Sequence, residues 1–439
     1  MHSSMTITLL VTLMVFLIPP ATSTSRHSLD HRRPDAKTGF EVTLKHVDSG
    51  GNFTKLELLQ RRMKRGRKRM ERLYAMALAA SDPSVSAPIH PGNGEFLMDI
   101  SIGTPPASYS AILDTGSDLI WTQCKPCKQC FSSPNPIFDP KKSSSFANLP
   151  CSSDLCAALP LSSCGSASAC EYLYTYGDYS STQGVMATET FTFGKVSVPK
   201  VGFGCGLDNE GGGFNQGGGL VGLGRGPLSL VSQLDEPKFS YCLTSIDSTK
   251  TSTLLMGSLA NLDATKETIM TTPLIKNPSS PSFYYLSLQG ISVGETKLPI
   301  KKSAFEIKGD GSGGMIIDSG TTITYLEESA FDLVKKEFTK QVQLAVDESN
   351  ETGLDLCFKV PSGAENVEVP KLVFHFEGAD LDLPGENYII GDPSGVACLA
   401  MGGSSGMSIF GNVQQQNMLV VHDLVKEAIS FVPKQCDDL

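Results

Sequence analysis

Ile112-Leu113-Asp114-Thr115-Gly116-Ser117 returns 204 positions later as Ile316-Ile317-Asp318-Ser319-Gly320-Thr321. Each copy ends an apolar strand with an aspartate on a tight turn, and Gly116 and Gly320 make that turn cheap. A single Asp-Thr/Ser-Gly reads as an ordinary Asx turn at a strand end. Two copies, each with hydroxyl residues one and three positions after the aspartate, read as a duplicated unit. Such a unit lets one chain build a facing pair of carboxylates. Like charges held that close cannot both ionise, so one pKa rises and a proton is shared. One group can then serve as general base on a water while the other serves as general acid. The later hydroxyls, Ser117 and Thr321, are spaced to bond their own aspartate. The earlier ones, Thr115 and Ser319, are spaced to reach across a pseudo-twofold axis to the opposite strand.

A second echo supports the duplication. Leu220-Val221-Gly222 follows the first aspartate and Ile409-Phe410-Gly411 the second, each an apolar pair closed by glycine. Such a segment can pass close beside the strand that carries the aspartate. Glycine is abundant (42), proline numbers 26, and short apolar runs recur between turn signals, which predicts an all-β protein. Its 439 residues suffice for two lobes with substantial cores. Phe40 to Val47 and Phe96 to Ile102 read as strands, and Ser329 to Leu344 has apolar residues at helical spacing. So does Lys55 to Ala80, through Leu56, Leu59, Met63, Met70, Leu73 and Met76. The glycine-rich Gly202 to Gly226 lacks the Gly-Lys-Ser/Thr of a phosphate loop and reads as closely packed strand and turn.

The ends of the chain differ in character. Thr6 to Pro19 is an apolar run too short to span a bilayer and is followed by small residues, so 1–24 reads as a signal peptide, although its start carries only His2. Residues 25–85 hold 14 of the 36 Lys and Arg but 7 of the 46 Asp and Glu. That leaves 22 basic against 39 acidic residues, a net −17, from 86 onward. The run Arg61-Arg62-Met63-Lys64-Arg65-Gly66-Arg67-Lys68-Arg69 would suggest nucleic acid in another context. Behind a signal peptide it reads as part of a removable basic propeptide, 25–85, lying on an acidic body and freed when carboxylates protonate. The linker Pro83 to Pro91 places maturation between Ser84 and Glu95. All twelve cysteines lie after residue 120, an even number that reads as six bridges in an oxidising route. Cys124, Cys127 and Cys130 have no matching His/Cys pair at ligand spacing, so no metal is expected. Asn52 and Asn350 head glycosylation sequons.

Taken together, the chain resembles the pepsin-type aspartic endopeptidases, and within them the plant nepenthesin-like branch. The resemblance rests on Asp114-Thr-Gly-Ser-Asp-Leu-Ile-Trp121-Thr-Gln-Cys124, Phe203-Gly-Cys205-Gly, Gly226-Pro-Leu-Ser-Leu, Lys238-Phe-Ser-Tyr-Cys242 and Ser408-Ile-Phe-Gly-Asn-Val-Gln-Gln-Gln-Asn417, and covers about 92–439. It implies a bilobal all-β fold with pseudo-twofold symmetry, an N-terminal lobe (86–265) with a cysteine-rich insertion, and a C-terminal lobe (266–439). It implies Asp114 and Asp318 as catalytic residues supported by Thr115, Gly116, Ser117, Ser319, Gly320 and Thr321. A flap hairpin would be tipped by Tyr176 and tied to Trp121; read alone, these are a strand tyrosine and a core aromatic. It further implies the pairings Cys124–Cys127, Cys130–Cys205, Cys151–Cys170, Cys156–Cys164, Cys242–Cys436 and Cys357–Cys398, a connectivity the sequence itself leaves open. One departure stands out: the branch reads Gly-Asp-Gly-Ser where this chain has Gly177-Asp178-Tyr179-Ser180. A tyrosine adopts positive φ at greater cost than glycine, so a rearranged turn or an extra ring toward substrate is expected.

The expectation is therefore a secreted zymogen that hydrolyses peptide bonds in acid, needs no cofactor and acts as a monomer. Its partners would be protein or peptide substrates and its own propeptide, with no nucleic acid and no membrane. Its setting would be the apoplast or a digestive fluid, with the vacuole as the alternative. Two other readings stay open: a narrow-specificity processing or defence protease with the same chemistry, and a catalytically silent pepsin-like binding protein, such as a plant inhibitor of glycoside hydrolases.

Overall fold

The structure is a computed structural model that describes residues 39–81, 95–211, 213–214, 216–246, 248–262, 268–349, 351–361, 367–392 and 395–439, by backbone alone at 78–81 and 392. The signal peptide, the maturation linker and Asn350 fall outside the described residues.

The chain is built of strands. Phe40–His46 (β1) alternates buried and exposed residues, as its Phe-Glu-Val-Thr-Leu text dictates. The helix Lys55–Ser81 (α1) follows, one residue longer than predicted. Phe96–Ile102 (β2) and Ala107–Asp114 (β3) pair antiparallel, and Trp121–Gln123 (β4) continues the N-terminal lobe. β1 lies between β2 and Ser252–Met256. The sheet then runs on antiparallel through Lys238–Cys242, Met418–Asp423, Ala428–Pro433 and Met270–Ile275. Strands from both lobes thus share one sheet, and β3, which ends in Asp114, belongs to it. The C-terminal lobe adds two antiparallel four-stranded sheets and the helix Glu328–Gln341. That helix starts on the carboxylate of Glu327, which accepts from the N–H groups of Ser329 and Ala330. It stops short of the predicted Leu344 because Val342, β-branched and buried, is already extended.

Two of the six implied disulfides occur, Cys242–Cys436 and Cys357–Cys398. The other four are corrected. β4 runs parallel to Val196–Glu210 with Thr122 opposite Cys205, which brings buried Cys124 beside buried Cys205 and bonds them. Cys127 and Cys130 are left to close their own short loop. In the insertion, burial sorts the partners. Cys156, on the short helix Asp154–Ala157, meets Cys170 in the core, while half-buried Cys151 takes exposed Cys164 at the rim. Asn52 is exposed, just ahead of α1.

Candidate active site

Each aspartate sits at the end of a strand flanked by the predicted echo. Leu220–Gly222 runs parallel to Ile112–Asp114, and Ser408–Phe410 parallel to Met315–Ile317. The closing glycines are demanded by space: a Cβ on Gly222 would lie 2.3 Å from the backbone oxygen of Asp118, and one on Gly411 2.2 Å from that of Ile323. Ser117 Oγ donates to Asp114 Oδ2 at 2.5 Å and Thr321 Oγ1 to Asp318 Oδ2 at 2.6 Å, as the spacing implied. Thr115 Oγ1 accepts from the Ser319 N–H at 3.2 Å and donates to Asp318 Oδ1 at 2.9 Å. The crossing runs from Thr115 toward the second motif; Ser319 meets it through its hydroxyl, 3.3 Å from Thr115 Oγ1. Gly116 donates its N–H to Asp114 Oδ1 at 2.9 Å.

The two carboxylates converge on α1. Arg69 Nη2 donates to Asp114 Oδ1 at 2.5 Å and to Asp318 Oδ1 at 2.6 Å, so these oxygens are at most 5.1 Å apart. Arg69 Nε reaches Asp318 Oδ2 at 2.6 Å, and Arg72 Nη2 reaches Asp114 Oδ2 at 2.9 Å. All four carboxylate oxygens therefore accept from arginine. All four side chains are essentially buried. Burial by itself would raise the pKa of Asp114, but the charges of Arg69 and Arg72, with the Ser117 hydrogen bond, hold it well below the ordinary carboxylate range. At Asp318 burial also acts upward, and Arg69 overrides it with help from Thr321, against the repulsion of Asp114. Both groups are thus ionised here because the guanidinium supplies the opposing charge that an isolated dyad lacks.

The motif glycines admit the helix. A Cβ on Gly320 would meet Arg69 Nε at 2.3 Å, and one on Gly116 would meet Leu73 Cδ2 at 2.7 Å. Leu73, fully buried, packs with Phe283, Tyr285, Ile316, Met407 and Ile409. That burial contributes roughly 2 kcal/mol to holding α1 in place.

Over the helix lies a hairpin of Cys170–Thr175 and Ser181–Phe193. At its turn Tyr176 is buried, and its hydroxyl accepts from Trp121 Nε1 at 2.8 Å. The Arg72 guanidinium sits 4.9 Å over the Tyr176 ring. A Cβ on Gly177 would be 2.3 Å from the Arg72 carbonyl oxygen, so hairpin and helix are in direct contact. Tyr179 is 56% exposed and itself adopts φ 58°, taking the strained left-handed conformation in place of the expected rearranged turn.

Reading the residues missed the roles of Arg69 and Arg72, because the basic run looks like one block of charge. The helical phase held the signal: Arg61, Arg65, Arg69 and Arg72 are spaced by four, four and three and share a face. Glu95 and Thr322 were missed as well. Thr322, next to the second motif, donates to the Arg62 carbonyl at 2.8 Å and to Glu95 Oε1 at 3.1 Å.

Comparison with known proteins is consistent with this geometry. Two family models match, described as "Xylanase inhibitor N-terminal" over residues 96–258 and "Xylanase inhibitor C-terminal" over 283–433. The chain is 53% identical to aspartic proteinase nepenthesin-1 of Nepenthes gracilis, across 98% of this chain and 97% of that one. It is 50% identical to aspartic proteinase nepenthesin-2 of the same plant, across 96% and 95%. The crystal structure of edgp superposes with a TM-score of 0.65 over 91% of this chain and 96% of that one, at 18% identity, a likeness of fold.

Proposed function

Because this chain belongs to the nepenthesin-like aspartic proteinases and is an aspartic-type endopeptidase, we propose that Asp114 and Asp318 share one proton and activate the water that attacks the peptide carbonyl. The observation that carries this reading is the convergence of both carboxylates on one guanidinium nitrogen, with each aspartate bonded by a hydroxyl of its own motif. When Arg69 leaves, two like charges remain face to face in a buried site, and one of them takes up a proton. The ionised partner then draws a proton from the water as it attacks, while the protonated one gives its proton to the developing oxyanion or leaving amine. No acyl-enzyme forms. Activity belongs in acid and is lost as the second carboxyl ionises.

Residues 25–85 act as an inhibitory propeptide and 1–24 as a signal peptide, with maturation between Ser84 and Glu95. The lobes span 86–265 and 266–439, and the enzyme is a monomer secreted to the apoplast or a digestive fluid. Burial of Arg69 and Leu73 in the cleft supports autoinhibition, since α1 fills the space under the hairpin that an extended peptide needs. The position of Tyr176, held by Trp121 across the cleft from the dyad, supports its role in a flap. Among the described residues no helix is long and apolar enough to cross a membrane. Asp114→Asn and Asp318→Asn, each matured to the same product mass by an added protease, test the mechanism. Loss of peptide cleavage with unchanged folding is expected; near-native activity of either variant would refute the dyad.

A further inference from the structure

A second set of charges, buried except for Arg61, lies along the same face of α1, one helical turn before Arg69. Arg65 donates to both carboxylate oxygens of Asp48, at 3.2 Å to Oδ1 and by a shorter contact to Oδ2, and to Glu95 Oε1 at 3.2 Å. Arg61 Nε donates to Asp48 Oδ1 at 3.0 Å. His46, at the end of β1, completes the cluster: its Nε2 is 2.7 Å from Glu95 Oε2 and its Nδ1 accepts the Asp48 N–H at 3.1 Å. These bonds fix the tautomer, with the proton on Nε2 directed to Glu95 and none on Nδ1.

We propose that His46 is a proton switch that loosens α1 from the cleft, because a proton on Nδ1 breaks the turn that aims Asp48 at Arg61 and Arg65. This rests on the reading of residues 25–85 as an inhibitory propeptide. Protonated Nδ1 faces the Asp48 N–H as a second donor, so that hydrogen bond is lost. The carboxylate oxygen Asp48 Oδ2 stands 3.9 Å from Nδ1, and Arg65 now holds that oxygen. The new cation also stands against the charges of Arg62 and Arg65 on α1. Arg65 then loses part of its grip, and the loss is passed one turn along the helix to Arg69.

The charged groups facing the ring are divided: Glu95 and Asp48 draw an imidazolium in, whereas Arg62 and Arg65 repel it. Glu95 attracts the imidazolium but already serves Arg65 and Thr322. Lys45 is turned to Asp99. The edge of the ring packs on Phe96, and beyond it lies a cavity of about 420 Å³, room for water, to which Lys45, Lys55, Arg62 and Lys250 add further positive charge. Burial lowers the His46 pKa more than Glu95 raises it, so the released segment binds the proton more tightly than the docked one, and acid drives release. Asp48, Glu95, Asp114 and Asp318 are all held below their ordinary values here. In weak acid they stay ionised while docked, which leaves His46 to respond first.

The test is release of the full-length chain after a jump from pH 7 to values between 4 and 6.5. Fluorescence of Trp121, the single tryptophan, follows release, and mass follows loss of the segment. His46→Gln keeps a donor for Glu95 but cannot gain charge. It is expected to release about tenfold more slowly at pH 5, with one proton fewer in the pH dependence. Once matured, its kcat/KM is expected to equal wild type. His46→Asn serves as a second variant, and His46→Arg, permanently charged, is expected to be released at pH 7. An unchanged midpoint and slope in His46→Gln, with wild type latent at pH 7, would overturn the switch alone. So would release at higher pH with the slope kept, which marks a structural role. Peptide cleavage by intact wild-type chain at pH 7 would instead overturn the propeptide reading itself.

Discussion

Arg69→Gln in the full-length chain removes three hydrogen bonds of 2.5 to 2.6 Å and the charge that lets both dyad carboxylates ionise in a buried site. Deleting one member of a buried ion pair costs about 3–5 kcal/mol because the remaining charge is stranded. Here the cost falls toward the lower end, since the dyad can take up one proton and Arg72 still holds Asp114 Oδ2 at 2.9 Å. A loss of ~3 kcal/mol lowers the docking constant of α1 by about two orders of magnitude. The substituted chain should therefore bind pepstatin at pH 6 at least tenfold more tightly than wild type, as read by calorimetry on the intact chain. Its α1 amides should exchange hydrogen correspondingly faster. Arg69→Lys keeps a charge but loses the fork that spans two carboxylates, and should fall between. Equal pepstatin affinity in Arg69→Gln and wild type would refute the claim that this guanidinium holds the cleft closed.

Other consequences follow from single contacts. Trp121→Phe leaves the Tyr176 hydroxyl without its donor, a loss of ~1 kcal/mol, and kcat/KM of the matured enzyme should fall about fivefold with little change in Tm. Tyr179→Gly relieves the positive φ and should stabilise the hairpin by ~1 kcal/mol; altered relative kcat/KM across a peptide library would show that the ring also touches substrate. His422 is buried with neither ring nitrogen hydrogen-bonded by a side-chain partner, stacked 4.3 Å from Phe239, and burial pushes its pKa down to about 3. The unfolded chain thus binds that proton more tightly. Stability should decline by ~4–5 kcal/mol between pH 6.5 and 3, and His422→Phe should abolish this component in urea melts. Non-reducing peptide mapping should recover Cys124 joined to Cys205 and Cys156 joined to Cys170.

Much of this arrangement was legible in the sequence where the cause is local. The twin Asp-hydroxyl-Gly-hydroxyl turns, their glycine-closed echoes and the alternation of Phe40–His46 each state their geometry within a few residues. The helix Lys55–Ser81 declared itself by spacing. What stayed hidden depends on non-local register. Cys124 bonds Cys205 because β4 happens to run beside Val196–Glu210, and no spacing within Cys124, Cys127 and Cys130 carries that fact. The basic run was readable as a charge imbalance between 25–85 and the rest. Its specificity was concealed, because only the docked helix shows that Arg65 serves Asp48 and Glu95 while Arg69 serves Asp114 and Asp318. Tyr179 was flagged by a departure from a glycine position, and it does occupy a left-handed conformation there.

The central claim, a shared-proton dyad uncovered in acid, is tested most directly by cleavage of denatured globin from pH 2 to 7. The chain is first treated with acid and shown by mass to have lost residues up to the linker, and is assayed with and without pepstatin. Cleavage confined to acid and blocked by pepstatin is the expected result. Absence of cleavage at every pH, or cleavage that pepstatin leaves untouched, would contradict it.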